Sequence, residues 1–294
     1  MNIPKIIWSY WDNENYPITV QKCVESWKNF NPDYTINILN KNNVLNYIDI
    51  NVFALKFATT SQKTADFIRL LLLEKYGGIW MDASIMCTSP LLPFILNGNK
   101  NFVGFYIEGF STTYPVIENW FFACSQNNDF VSLWSKKFFE LNNFKTVFDA
   151  VKDLEKYNLK EMIPGCHDKE YLYMHMAAQY VLQVLHYDLN KLQLYKAEDG
   201  PFKYLVKHSF GPYWNPITGL IDLCINKKEL MSEPIIKFRG GERRILEWNK
   251  DLRNCILDND QTSKNNIKIM TYIICIICII CIICIIKFIY KKLK

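Results

Sequence analysis

Three charged side chains, Asp66, Arg69 and Asp82, lie close enough in the chain to meet at one place. Asp66 and Arg69 are three residues apart and so share a helical face. A carboxylate there can accept two hydroxyl hydrogen bonds, and a guanidinium can fix an oxygen with its planar fork. Asp82 follows Ile79-Trp80-Met81, a β-branched, aromatic and apolar run that suits an interior strand. A carboxylate delivered to the end of such a strand can hold a divalent cation, Mn or Mg, and the cation can hold a diphosphate. Ser84, two residues on, is a neutral oxygen donor beside it. On spacing alone Asp66 and Arg69 suit a surface ion pair worth about 0.2–0.5 kcal/mol, and Asp82 suits an acidic turn. The elements around them decide for chemistry.

Ala65, Ile68, Leu72 and Tyr76 form an apolar helical stripe, and Gly77-Gly78 end it because glycine takes the left-handed conformation after a last turn. Thr60 or Ser61 is the expected cap at its start. Strands are expected over Ile3–Trp8, Tyr34–Leu39, Phe102–Tyr106 and Trp120–Ala123. Helices are expected over Tyr16–Phe30, Phe130–Leu141 and Tyr171–Leu185, with a short one over Val44–Ile50. Alternating strand and helix predicts an α/β fold on a parallel sheet. Asp82 then stands at a strand's carboxyl end, where such folds bind ligands.

The pattern from Asp66 to Ser84, an acid and arginine on a helix, Gly-Gly, Ile-Trp-x-Asp-x-Ser, resembles glycosyltransferase family 32 and its relatives. These include the capsular polysaccharide synthesis proteins, the yeast-type mannosyltransferases and, more remotely, the clostridial glucosylating toxins. Ile3-Pro4-Lys5-Ile6-Ile7-Trp8, Ser26-Trp27-Lys28 with Asn31-Pro32-Asp33-Tyr34, Glu118–Ala123 and Tyr171–Gln179 follow in the family's order; the last two look most like the capsular-polysaccharide branch. The resemblance implies a GT-A-type, Rossmann-like nucleotide-sugar-binding domain that uses a divalent cation and retains the anomeric configuration. It implies Asp82 at the metal and diphosphate, with Ser84 as a second metal ligand, and Asp66 and Arg69 on the donor's ribose and sugar hydroxyls. It implies Trp8 stacked on the nucleobase and, more loosely, Asn43 at a base-contacting position; read from the residues alone, a tryptophan leaving a strand suits core packing as well, and Trp80 suits either the core or a cover for the donor. Where the broad family has Asp-x-Asp, this chain has Asp82-Ala83-Ser84, so the metal loses one anionic ligand and is held more weakly or through water; the capsular-polysaccharide branch looks similar at this place, with Asp-Ala-Ser or Asp-Ala-Thr, and the serine resembles that branch's own form.

Half of the 294 residues are apolar, enough for one sizeable core. The formal charge of +5 comes from the end: six lysines and no acid follow Asp260, and the first 260 residues carry 28 basic against 29 acidic groups. That balance argues against nucleic acid as a partner. Four of ten cysteines sit in an Ile-rich run and six are scattered; with no Cys-x-x-Cys outside the run, a zinc site is not expected and a reducing compartment is. Ile269–Ile286 has no charge over 18 residues, roughly 27 Å of helix, and is extended to Tyr290. The expected organisation is a catalytic domain over 1–260, a polar linker over 261–268, a single transmembrane helix over 269–290 and a basic tail over 291–294. With no amino-terminal leader in the sequence, the catalytic domain is placed on the cytosolic side.

The function expected is therefore transfer of a sugar from a nucleotide-sugar donor to a glycan or polysaccharide acceptor, with Asp82, Asp66 and Arg69 as catalytic residues. Two alternatives stand beside it: an inactive scaffold that keeps the fold, and toxin-like glycosylation of a protein. Trp120, Trp214 and His208 are candidates for an acceptor cleft. His175, alone in an apolar helix, reads as a hydrogen-bonded core group.

Overall fold

Residues 3–110, 113–159, 170–206, 216–227, 234–258, 262 and 264–271 are described by the computed structural model of this chain. They contain eight strands: β1 (Ile6–Tyr10), β2 (Thr35–Leu39), β3 (Gly78–Met81), β4 (Ile85–Cys87), β5 (Phe102–Ile107), β6 (Val116–Cys124), β7 (Leu192–Lys196) and β8 (Ile235–Lys237). Six form one sheet in the order β2-β1-β3-β6-β5-β7, while β4 and β8 form a separate antiparallel pair. Helices α1 (Ile18–Phe30), α2 (Ser61–Tyr76), α3 (Leu91–Leu96), α4 (Asp129–Phe139), α5 (Val147–Glu155) and α6 (Tyr173–Gln183) accompany them.

The sheet is mixed. β1 runs parallel to β2 and β3, but β6 is antiparallel to both β3 and β5. The expected all-parallel sheet fails there because only residues 108–115 join β5 to β6, and so short a connection reverses the chain; a parallel return needs a crossover of a dozen residues or more.

Thr60 caps α2 by accepting from Lys63 N, and Gly77 ends it with φ +64, its N–H donating to Leu73 O. Gly78 follows at φ +95, and a Cβ on it would stand 2.6 Å from Ile6 O. The two glycines thus let the chain leave α2 and enter β3 directly beside β1. α2 is buried nearly all round, with Phe67, Ile68, Leu70, Leu72 and Leu73 among its buried residues. Phe67 packs at 4.7 Å on Phe138 and 5.1 Å on Phe139 of α4. Trp134 Nε1 donates to Met174 O, tying α4 to α6. Each such side chain contributes roughly 1.5–3 kcal/mol by burial, so the surface carrying Asp66 and Arg69 is set by a packed core.

Where composition suggests one domain over 1–260, the chain divides into two compact units, residues 1–203 with 233–237, and residues 204–232 with 238–294. The second contains helices Pro216–Ile225 and Gly240–Trp248 and a disulfide between Cys224 and Cys255, whose Cα atoms are 5.7 Å apart. Two of the six cysteines that look merely scattered in the sequence are thus a bonded pair: nothing in their 31-residue separation marks them, and only the fold brings them together. Cys23, Cys87 and Cys124 are buried in the first unit. No helix among the described residues is long and apolar enough to cross a membrane. Residues 264–271 are helical, and the expected span over 269–290 lies, from residue 272 on, outside the described residues.

Candidate active site

Three charged groups converge where β3 ends. Asp66 and Arg69 project from one face of α2, and Arg69 Nη1 donates to Asp66 Oδ1 at 2.5 Å while Nη2 reaches Asp82 Oδ1 at 3.4 Å. Asp82 is the first residue after β3, fixed by its own N–H on Trp120 O and by Ile85 N on its carbonyl, so Asp82-Ala83-Ser84 is the turn between β3 and β4. Trp80 lies two residues before Asp82 on the same face, as strand alternation requires, and its Nε1 donates to Asp82 Oδ1 at 3.1 Å. The Arg69 guanidinium stacks 4.9 Å over the Trp80 ring.

Asn119, on β6, donates from Nδ2 to Asp66 Oδ1 at 3.1 Å. Met174 of α6 places its sulfur 3.7 Å from Arg69 Nη1 and 3.5 Å from Asn119 Nδ2. The Arg69 side chain is only 5% exposed, but Asp66 and Asp82 keep 15% and 29% of theirs. The cluster therefore opens to solvent on its carboxylate side. Arg69 Nε is buried with no hydrogen-bond partner among the described residues.

The other oxygen of Asp82 faces a residue the sequence does not single out. Lys237 Nζ donates to Asp82 Oδ2 at 2.7 Å and to Ser84 Oγ at 3.0 Å. β8 pairs with β4 so that Lys237 lies opposite Ile85, next to Ser84, and Lys237 N donates to Pro201 O. This decides the fit of the expected metal. A divalent cation such as Mg needs oxygen ligands in direct contact, near 2.0–2.1 Å, and an ammonium already stands between the two oxygens that were to hold it. A dication added about 4 Å from that ammonium is repelled by about 8 kcal/mol at an effective dielectric of about 20. Among the described residues, moreover, no group of three or more His, Cys, Asp or Glu is placed to hold a metal ion. Asp82 and Ser84 with Lys237 in place do not fit a divalent cation.

Charge sets the protonation of each group. Burial pushes Asp66 up to about 6 against the pull of Arg69, with the Asp82 charge adding to the rise. Burial acts the same way on Asp82, but Lys237 and Arg69 outweigh it and hold that carboxyl below its ordinary range. Glu118, next to Asn119 on β6, is pushed up to about 7 by burial, opposed in part by Trp120 and Lys237. Its Oε2 is 4.0 Å from His175 Nε2. Burial and the nearby Arg69 push His175 down to about 4, which leaves it neutral near pH 7. His175 Nδ1 finds no partner among the described residues, so the histidine is a buried group without the hydrogen bonds expected of one in a core.

Of the expected site residues, Asp66, Arg69, Asp82, Ser84 and Trp80 are brought together and Trp8 and Asn43 are not. Trp8 is 3% exposed, donates from Nε1 to Gly77 O, and lies between the rings of Tyr47 and Tyr76 at 5.4 and 5.3 Å. It is a core residue closed to a nucleobase. Asn43 folds its own turn, accepting from Asn40 N. Trp80 is 1% exposed and supports Asp82 from beneath, which differs from a cover over a donor. Trp120 is buried between Phe105 and Phe202, while Trp214 and His208 lie outside the described residues. Lys237 is not singled out by the sequence, and Glu118 and Asn119 stand in it as part of the Glu118–Ala123 motif with no role at the site. A lysine within Ile235-Ile236-Lys237-Phe238 was the available signal, since a charge in a short apolar strand needs a partner.

Fold and site define an α/β protein whose mixed sheet presents a paired acid–base cluster at the carboxyl end of a central strand. Residues 1–149 match the model of the capsular polysaccharide synthesis protein family, and the chain belongs to that family. It is 28% identical over 175 residues to the O-glycosyltransferase braB of Annulohypoxylon truncatum, covering 52% of this chain and 40% of that one. It is 29% identical over 169 residues to a probable glycosyltransferase, FCK3, of Fusarium pseudograminearum, covering 51% and 42%. The chain thus spans well under half the length of these relatives. A solved structure of the galactosyltransferase LgtC with donor and acceptor sugar analogs aligns over 89% of this chain and 95% of that one at 11% identity, with a TM-score of 0.43. A likeness that low carries no argument.

Proposed function

We propose that this protein is a glycosyltransferase of GT-A type that moves a sugar from a nucleotide-sugar donor to a glycan or polysaccharide acceptor, with retention at the donor carbon. The observation that carries the reading is the convergence of Asp66, Arg69 and Asp82, with Arg69 hydrogen-bonded to both carboxylates. Two partly exposed carboxylates, locked in orientation by one guanidinium, suit a polyhydroxylated ligand, whose hydroxyls donate to them. Family membership and the names of the two fungal relatives support the same reading. In it Asp66 and Arg69 take the hydroxyls of the donor's sugar and ribose, and Asp82 lies at the diphosphate. The divalent cation that the resemblance implies enters no step.

Calorimetric titration with UDP-, GDP- and CDP-sugars, with and without Mn²⁺ or Mg²⁺, tests the donor and names its nucleotide. Asp82→Asn keeps the shape and removes the charge, so transfer falls at least about a hundredfold, the scale of a lost electrostatic stabiliser. A folded Asp82→Asn protein with near wild-type turnover, or no donor binding at millimolar concentration under any metal condition, overturns the proposal.

A single-pass anchor over 269–290 is part of the proposal. So is the side of the membrane on which the enzyme works. The side proposed is the cytosolic one inferred from the sequence; the Cys224–Cys255 bridge, of a kind rare in reducing compartments, is the feature that puts it to the test.

A further inference from the structure

We propose that Lys237 is the fixed cation of this site: its ammonium, held between Asp82 and Ser84, receives the donor's diphosphate, and nucleoside diphosphate binding needs no divalent metal. The inference rests on the donor-site reading above and goes beyond it by naming the group that meets the phosphates.

Position comes first. Lys237 arrives from 155 residues away in sequence, yet its Nζ is 2.7 Å from Asp82 Oδ2 and 3.0 Å from Ser84 Oγ. Its backbone is anchored on both sides, by the β4–β8 pairing and by Pro201 O. The side chain is 8% exposed, so the ammonium is held in one place and does not sweep a surface. Asp82, which shares the charge, is 29% exposed and marks the face on which a ligand arrives.

Charge comes second. A carboxylate alone at this point would repel a diphosphate; the pair of Asp82 and Lys237 is neutral, and Arg69 beside it adds a positive charge balanced by Asp66 on the far side. A dication held by two carboxylates sums to zero, and so does an ammonium held by one. The serine at position 84 is thus the residue that a lysine cation calls for: a second aspartate would leave the site one negative charge in excess. Ser84 adds a donor as well. A hydroxyl that accepts from an ammonium keeps its own hydrogen to give, and a phosphate oxygen is the acceptor chemistry that the two groups together select.

The experiment titrates UDP and GDP as probes into the whole chain, in EDTA and in 1 mM Mn²⁺, and follows Mn²⁺ binding separately by electron paramagnetic resonance. One of the two nucleotides should bind in EDTA with a Kd within about threefold of that in Mn²⁺, and the paramagnetic signal should stay that of free Mn²⁺. Lys237→Met, confirmed as folded by its melting curve, should weaken binding in EDTA at least tenfold. Lys237→Met with Ser84→Asp should regain binding in Mn²⁺ and not in EDTA, because the swap restores the charge balance with a dication. Binding by the wild-type chain that appears only with Mn²⁺ overturns this inference and leaves the donor site standing. Failure of every nucleoside diphosphate to bind in either condition overturns both. The wild-type comparison needs no variant to fold.

Discussion

Arg69 touches both carboxylates of the cluster, and replacing it by methionine tests whether they form one electrostatic unit. The guanidinium is 5% exposed and its partners 15% and 29%, so screening by solvent is modest. Breaking a buried ion pair by removing one partner costs about 3–5 kcal/mol. The lower end applies here, because Asp82 keeps Lys237 at 2.7 Å and methionine fills most of the space of the arginine stem. Asp66 bears the loss: it keeps the Asn119 amide, and without Arg69 its carboxyl, already raised to about 6, climbs further and takes up a proton near neutral pH. Uptake of that proton caps the penalty, at about 1.4 kcal/mol for each pH unit. Arg69→Met should therefore lower the unfolding free energy by about 3 kcal/mol, Asp66→Asn by about 1–2, and the double variant by no more than Arg69→Met alone. The coupling that remains is at least about 1–2 kcal/mol, the order of a charged hydrogen bond. Urea denaturation of the four proteins, followed by tryptophan fluorescence and extrapolated linearly, measures it. A coupling below about 0.5 kcal/mol would equate the pair with a surface i, i+3 contact and refute the reasoning.

Glu118→Gln isolates one titration. The folded Glu118 carboxyl holds its proton up to about pH 7 against an ordinary value of 4.5, so its contribution to stability is full below pH 4.5 and lost as pH rises through 7. Glutamine does not titrate, and between pH 5 and pH 8 the variant should gain about 2–3 kcal/mol on the wild type; parallel pH profiles would show that Glu118 titrates normally. Trp8→Phe should cost about 1 kcal/mol, for the lost bond to Gly77 O, and leave donor affinity within about twofold, whereas a tenfold loss of affinity would return Trp8 to the nucleobase. Maleimide labelling before and after reduction should find Cys224 and Cys255 blocked until the bridge is cut. Protease added to sealed vesicles carrying the chain decides the side: digestion of the domain fits the cytosolic placement, and protection until detergent is added reverses it.

What the sequence disclosed was local. The Thr60 cap, the glycine pair at 77 and 78, and the shared face of Asp66 and Arg69 depend on residues within a few positions of one another, and short-range rules reach them. Long-range pairing was hidden. β4 and β8 are three residues each, too short for a period to emerge, and β7 carries no strict alternation of burial. Trp8 fails for another reason: an indole that stacks on a base and one that closes a core share the same sequence context, and only the distances to Tyr47, Tyr76 and Gly77 separate them.

Ser84 and Lys237 show how a local departure can encode a distant compensation. Read alone, a serine where an acid is expected is a weakened metal site. Read with the lone lysine of Ile235-Ile236-Lys237-Phe238, it is a neutral group where the site already holds a cation: the Lys237 ammonium stands 3.0 Å from Ser84 Oγ. A change of charge at either position alone is costly, since an unpaired ammonium or an unneutralised second carboxylate would sit against Asp82 and beside a Lys237 side chain only 8% exposed. The charge carried at one position therefore bears directly on the other. Ser84→Asp in the chain that retains Lys237 adds a negative charge beside an ammonium already matched by Asp82, so it should destabilise the protein at neutral pH and recover as the pH falls and the new carboxyl takes up a proton.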